Sequence, residues 1–286
     1  MDSYFVRHTD MWIRDEDLKD TWSNNLIAIH HPGGIKEDLE SFRPEDYTDK
    51  AERKAVTAFM KLATNGGYVW AETRVDKCAK VGIVKPGTQP GIFKARWQPP
   101  PGKHVDRTVA KLKVLALTGV KKVKLKELMS LRACVPIKVT ISRWGKCKGR
   151  LADFVEGRPP ARVWDSLSPD IQEILCSEFL REHDLPSLPH LKRLLMPVGR
   201  TLKDVDIYGV TESQKEVFAQ VTHSGESDSS EKVRALRDYY SPNSILVFFC
   251  DCQDLKTESE ITYVPNRLVF EWAEREHSYL DKLLSI

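Results

Sequence analysis

No apolar run in this chain approaches membrane-spanning length; the longest, Ile245–Cys250, is the length of one buried strand. The opening residues MDSYFVRHTD hold no apolar signal core, so export is not expected and a cytoplasmic protein is. Cysteine is sparse, with six residues scattered over 286. Cys250 and Cys252 form a C-x-C, but no second pair follows at zinc spacing, which leaves reduced thiols without a structural role as the expectation. There is no internal repeat and no long low-complexity tract. Hydrophobic residues at 41% and charged residues at 30% exclude a disordered chain, and the length suffices for two domains.

Acidic residues are nearly missing from one stretch. Residues 93–150 carry 16 Lys and Arg against 2 Asp and Glu, although the whole chain has a net charge of only +3. The flanking segments are both slightly to clearly acidic. A basic segment between acidic ones is what phosphate-backbone binding requires, since Lys and Arg release condensed counterions. The alternative is a solvated, lysine-rich β surface. The candidates for backbone contact are Lys111, Lys113, Lys121, Lys122, Lys124, Lys126, Arg143 and Lys146.

What is present reads as α/β in two domains, 1–155 and 163–286, separated by the Gly- and Pro-containing EGRPPAR at Glu156–Arg162. In the first, Leu26–Ile29, Tyr68–Glu72 and Lys80–Val84 read as strands, and Asp49–Ala63 has helical spacing. Val109–Leu117 and Pro136–Trp144 alternate apolar residues with Lys, Thr and Ser, which suggests a curved sheet with its charge outward. In the second, Ser168–Arg181, Ser229–Tyr240 and Phe270–Leu284 read as helices. Asp204–Val210 and Val217–Thr222 form a hairpin, and Ser244–Cys250 is a buried strand.

The chemistry lies in Gly199–Ser224. Alternation places Asp204, Asp206 and Tyr208 on one face of the first strand, and Phe218, Gln220 and Thr222 on one face of the second. A hairpin then brings the oxygens of Asp206 and Gln220 side by side, a set suited to Mg²⁺ (or Mn²⁺). This segment resembles the PD-(D/E)xK nuclease superfamily, in particular its Mrr-like restriction branch, with a Gly, then D-x-G-I-D, then Q-x-K. Gly199, Asp206 and Gln220 match. The resemblance implies a further metal-binding acid on the preceding helix, at Glu178 or, as second choice, Glu173. The family lysine falls on Thr222, so Lys232 on the next helix takes its place, or metal-bound water does the work without it, or the fold only binds.

The N-terminal half carries a second, weaker resemblance. Trp22–Gly34, Gly66–Glu72 and Lys80–Thr88 are similar to PUA-superfamily domains of the EVE-like kind, which implies a mixed β-barrel and an aromatic pocket for a flipped base. Trp12, Trp22, Trp70 and Trp97 are the pocket candidates, with Asn25 as a polar edge. Each of these tryptophans also reads as a core residue. His30 and His31, before Pro32, read as part of a turn, and His223 as an exposed strand-end residue.

Together these resemblances imply a PUA-like domain followed by an α/β/α restriction-endonuclease-like domain. The function expected is a modification-dependent endonuclease acting on double-stranded DNA in defence against foreign DNA. It would read a modified cytosine and act as a homodimer for double-strand cleavage. A non-catalytic DNA-binding protein and an RNA-binding PUA-like factor remain open.

Overall fold

The structure is a computed structural model, and it describes residues 1–8, 12–33, 37–98, 108–124, 131, 134–136, 139–147, 149–159, 162–195, 205–222 and 230–275. Gly199, Asp204, Lys126 and His223 lie outside these residues. Contacts divide the chain into two units, Met1–Ala161 and Arg162–Leu284. Among the described residues no helix is long and apolar enough to cross a membrane.

Unit 1 holds two open sheets. Strands β1 (Ser3–His8), β3 (Gly67–Thr73), β4 (Cys78–Val84), β7 (Thr118–Lys124) and β8 (Ile141–Arg143) make a five-stranded sheet in the order β7-β4-β3-β1-β8. Strands β2 (Leu26–Ile29), β5 (Gly91–Arg96) and β6 (Val109–Ala116) make a three-stranded sheet in the order β2-β6-β5. The expected barrel is therefore corrected: the described strands form no closed barrel. The chain crosses from β6 to β7 at Leu117 alone, whose N–H donates to the Asn25 carbonyl, so consecutive strands serve different sheets.

The helices are α1 (Asp15–Ser23), α2 (Lys50–Asn65) and α3 (Arg150–Glu156). Helix α2 starts where Asp49 accepts hydrogen bonds from the N–H groups of Ala51 and Glu52, at 2.8 and 2.9 Å. It stops at Gly66, whose φ of +69° suits glycine and where a Cβ would stand 2.7 Å from Pro86. Its apolar stripe of Val56, Phe59, Leu62 and Ala63 packs with Tyr4, Val6, Val69 and Ala71 of the five-stranded sheet. Phe5, Trp70, Val81, Trp144 and Leu151 form a separate cluster. The alternation of Tyr4 and Val6 with Phe5 assigns these two clusters to opposite faces of the sheet.

His8 closes the β1 end of this core. It is buried, and its Nε2 accepts a hydrogen bond from the Ala28 N–H, so burial lowers its pKa to about 4. The unfolded chain takes up this proton below about pH 6.5, while the folded chain does so only near pH 4. The His8 contribution is thus present above pH 6.5 and lost as pH falls through that interval, a span on the order of 3 kcal/mol. Amide exchange of β1 and β2 is expected to accelerate between pH 6.5 and 4 beyond its intrinsic pH dependence. His8→Gln, which keeps an acceptor but does not titrate, should remove that excess; an excess that persists in His8→Gln would refute the assignment.

Unit 2 is a single mixed sheet of β9 (Leu191–Leu194), β10 (Ile207–Thr211), β11 (Glu216–Val221), β12 (Ser244–Cys250), β13 (Lys256–Glu258) and β14 (Ile261–Pro265). Its order is β13-β14-β12-β11-β10-β9. The expected hairpin is a three-strand antiparallel meander, β9-β10-β11, after which β12 and β14 join in parallel. Helices α4 (Pro169–Glu182) and α6 (Asn266–Arg275) share one core with Ile207, Val217, Ala219 and Val221. Leu236 of α5 (Ser230–Arg237) shares the other with Phe218, Leu246 and Phe248. Since Phe218 alternates with Val217 and Ala219, the helices lie on opposite faces and make three layers. Ser244–Cys250, read as a buried strand, is the central β12, paired in parallel on both sides as its unbroken apolar sequence requires.

Candidate functional site

The open end of the β10–β11 pair gathers the residues singled out in unit 2. Regular pairing runs from Ile207 opposite Ala219 to Val210 opposite Glu216. At Asp206 the chain leaves the ladder: its N–H donates to the Ala219 carbonyl at 3.0 Å. Strand β10 therefore begins at Ile207 rather than at residue 204, and strict alternation fails there. Val205 packs in the α5-side core, whereas Ile207 packs in the α4-side core. The Asp206 carboxylate consequently turns to the strand edge, where one oxygen accepts the Val221 N–H at 2.8 Å.

The Lys232 ammonium of α5 donates to the carbonyl of that same residue, Val221, at 3.1 Å. In an extended strand the N–H and C=O of one residue point to the same side, so Asp206 and Lys232 converge on one short stretch of backbone beyond the regular β10 pairing. Gln220, one residue earlier, is buried and alternates with Phe218 toward the α5 side; its Oε1 has no hydrogen-bond partner among the described residues. Thr222 is buried too, its N–H on the Phe249 carbonyl and its own carbonyl accepting from Asn266 Nδ2 at 2.9 Å. Thr222 therefore serves the β11–β12–α6 junction.

The helix acid needs a correction. Glu178 points along the outside of α4, where its carboxylate holds Arg181 at 3.1 Å. Glu173 is the carboxylate on the side of Asp206. The thiol of Cys176, one turn on and fully enclosed, is pushed well up, first by burial and then by the negative charges of Asp206 and Glu173. The signal was available in the apolar spacing of α4: Glu173 and Cys176 are three residues apart on one face, and Glu178 shares its face with Arg181. Among the described residues no group of three His, Cys, Asp or Glu could hold a metal ion by itself. The expected divalent ligands are the Asp206 carboxylate, whose charge reaches Cys176 on the α4 side, and the buried Gln220 carbonyl oxygen, which faces the α5 side. The unmatched Oε1 and an all-oxygen donor set fit Mg²⁺, which keeps waters and phosphate oxygens in its remaining positions.

In unit 1 the four candidate tryptophans do not share one pocket. Trp70 is fully buried against Trp144, its Nε1–H on Glu72 at 3.0 Å. Trp22 is buried beside His8, with its Nε1–H on Asp76 at 3.0 Å and the Lys80 ammonium over its ring. Asn25 is committed as well, since Lys80 donates to its Oδ1 at 2.6 Å. Trp12 and Trp97 do meet: the rings stack at 5.5 Å, and His30 packs edgewise on Trp97 at 5.6 Å. His30 in turn bonds Asp38 at 2.8 Å, so the turn-like HHP segment contributes one histidine to this cluster.

The basic candidates are largely engaged inside the fold. Lys113 is fully buried, donating to the Leu39 carbonyl at 3.0 Å over the Tyr47 ring, and burial lowers its pKa to about 8. It cannot touch a phosphate, and the outward-facing reading of its strand is corrected. Lys111 is paired with Glu40 and Lys122 with Asp76, at 2.9 and 2.7 Å. Lys121 donates to the carbonyls of Phe154 and Val155 at the end of α3. Lys124 and Lys146 are exposed, and Arg143 is exposed beside Asp2 at 2.8 Å. Comparison with family models, curated proteins and solved structures gave no match for this chain.

Proposed function

We propose that unit 2 is a metal-dependent nuclease domain that hydrolyses DNA phosphodiesters, and that the chain acts as a modification-dependent restriction endonuclease. The observation that carries this reading is the convergence of Asp206 and Lys232 on the backbone of Val221; Gln220, one residue earlier in the chain, has an unmatched amide oxygen. A carboxylate and an amide oxygen to hold a cation, with an ammonium to meet the developing negative charge, are the groups that phosphoryl transfer needs. Mg²⁺ held by Asp206 and Gln220 would supply a bound water of lowered pKa and a polarised phosphate oxygen. Lys232, delivered from the helix instead of the strand, is assigned the role of the family lysine whose position Thr222 holds. Reading of a modified base is assigned to the Trp12–Trp97–His30 cluster, since Trp22 and Trp70 are in cores. Cleavage of both strands is assigned to a homodimer.

The test is incubation of the full chain with Mg²⁺ and plasmids that differ only in cytosine modification. Cleavage confined to the modified plasmid is expected. Lys232→Ala is expected to slow it by roughly a hundred- to a thousandfold, the scale of losing one preorganised charge donor. Lys232→Arg should recover part of that rate, which a merely structural lysine would not show. A second reading has its own observation: the Asp206 carboxylate already caps the Val221 N–H, as a purely structural strand-end residue would. Under that reading the protein binds DNA, and no plasmid is cut in any divalent metal.

A further inference from the structure

Helix α2 carries a basic stripe that lies outside the segment rich in Lys and Arg. Lys50, Arg53, Lys54 and Lys61 recur at helical spacing on its exposed side, and the acid of that stretch, Glu52, is turned inward to the Gly33 N–H. The stripe borders a cleft of about 510 Å³, within the usual range for ligand sites, which Arg143 enters from β8 and whose floor includes Tyr4 and Ala58. A second hollow of about 250 Å³ adjoins it, lined by Pro44, Met60 and Thr64 and sharing Thr57, Lys61 and Asn65. The two run along α2 from Arg53 to Asn65, about 18 Å at 1.5 Å per residue.

Lys54 and Lys61 of this cleft are less committed than Lys111, Lys113 and Lys122. Four face one carboxylate, Asp2, which Arg143 already holds. Arg53 is fixed by two hydrogen bonds from its guanidinium to the Tyr47 carbonyl, at 2.9 and 3.1 Å. Lys54 and Lys61 make no ion pair among the described residues and are exposed. Gathering four like charges along one cleft with a single counter-charge is unfavourable unless an anion completes it.

We propose that the outer face of α2, with Arg143, is a seat for the phosphodiester backbone of DNA. The occupant follows from shape and spacing. Cations spread from Lys50 to Lys61, about 16 Å of helix rise, extend further than one small anion reaches and suit a charged polymer. The apolar parts of the hollows, at Tyr4, Ala58 and Met60, accommodate sugars between phosphates. The proposal rests on the DNA-engaging part of the function above and is independent of cleavage.

The experiment measures binding of a double-stranded oligonucleotide to the full chain, without divalent metal, between roughly 50 and 200 mM salt. Lys54→Gln with Lys61→Gln is compared with wild type and with Lys192→Gln plus Lys215→Gln of unit 2 as control. The α2 pair is expected to reduce the slope of log affinity against log salt by nearly two, at about 0.9 per phosphate contact, at unchanged melting temperature. The control pair should leave the slope alone. Binding with an unchanged slope in the α2 pair overturns this seat but leaves the nuclease reading standing. Absence of any wild-type binding overturns both. Pyrophosphate or polyglutamate displacing DNA as effectively as competitor DNA, charge for charge, overturns the assignment to a phosphodiester strand.

Discussion

Asp206→Ala is expected to lower Mg²⁺-dependent cleavage by about a thousandfold, with DNA affinity in the absence of metal kept within a small factor. The magnitude follows from the charge removed. A divalent ion contributes several kcal/mol of transition-state stabilisation, and a loss of about 4 kcal/mol corresponds to roughly three powers of ten in rate. The same substitution also strips the Val221 N–H of its acceptor, which costs stability of about 1 kcal/mol. Asp206→Asn separates the two roles. Its amide oxygen still accepts from Val221, so the melting temperature should stay near wild type, while the lost negative charge should keep cleavage low. An Asp206→Asn protein that cuts at the wild-type rate would make Asp206 a strand-end cap and nothing more.

The second large effect is expected at Trp70→Ala, on stability. Trp70 has no exposed surface and packs edge-on against Trp144 at 6.0 Å, in a cluster with Phe5 and Val81. Truncation to Ala removes a bicyclic ring from an interior that cannot collapse around the gap, at about 3–5 kcal/mol. Set against a total of about 5–15 kcal/mol for a domain, that is a large fraction, and the transition of unit 1 should fall by roughly 10 °C. Trp12→Ala supplies the contrast. Its ring stacks on Trp97 and is partly exposed, so its loss should cost only about 0.5–1.5 kcal/mol. Thermal melts of the two variants decide the matter. Equal, small shifts would return Trp70 to the candidates for base contact.

The contrast between these tryptophans shows which parts of the molecule could be read from residues alone. Helix α2 and strand β12 were legible because their apolar periods, 3.6 and unbroken, admit one environment each. Asp206 and Gln220 were singled out because the motif fixes residue types at short spacing, and Lys232 because it is a lysine on the helix that follows. The failures have physical causes. Trp70 and Trp12 have the same side chain, and only the strand pairing of β3 decides that one faces a core. Lys113 sits in a regular apolar–basic alternation, which signals an exposed face only if nothing covers that face. Here His31, Leu39 and Tyr47 cover it. The choice of Glu178 over Glu173 missed the rotation of α4 about its axis, a quantity fixed by packing. Alternation also misplaced Asp206, because a strand that leaves its ladder no longer alternates. The α2 stripe escaped notice because summed charge over 1–92 mixes an exposed basic face with acids from other elements.

The pairing of β1 has a kinetic consequence. This strand pairs in parallel with β3, Phe5 against Trp70, and on its other side with β8, Phe5 against Ser142. In unit 2 the partners of β12 lie within a few tens of residues, Leu246 with Phe218 and Ile261. Contacts between distant residues are slow to form because loop closure must precede any gain from them. Unit 2 is therefore the faster folder. The outer edge of β1 stays unsatisfied until residues 141–143 have left the ribosome, and a fragment ending near residue 97 would carry that open edge permanently, inviting association through it.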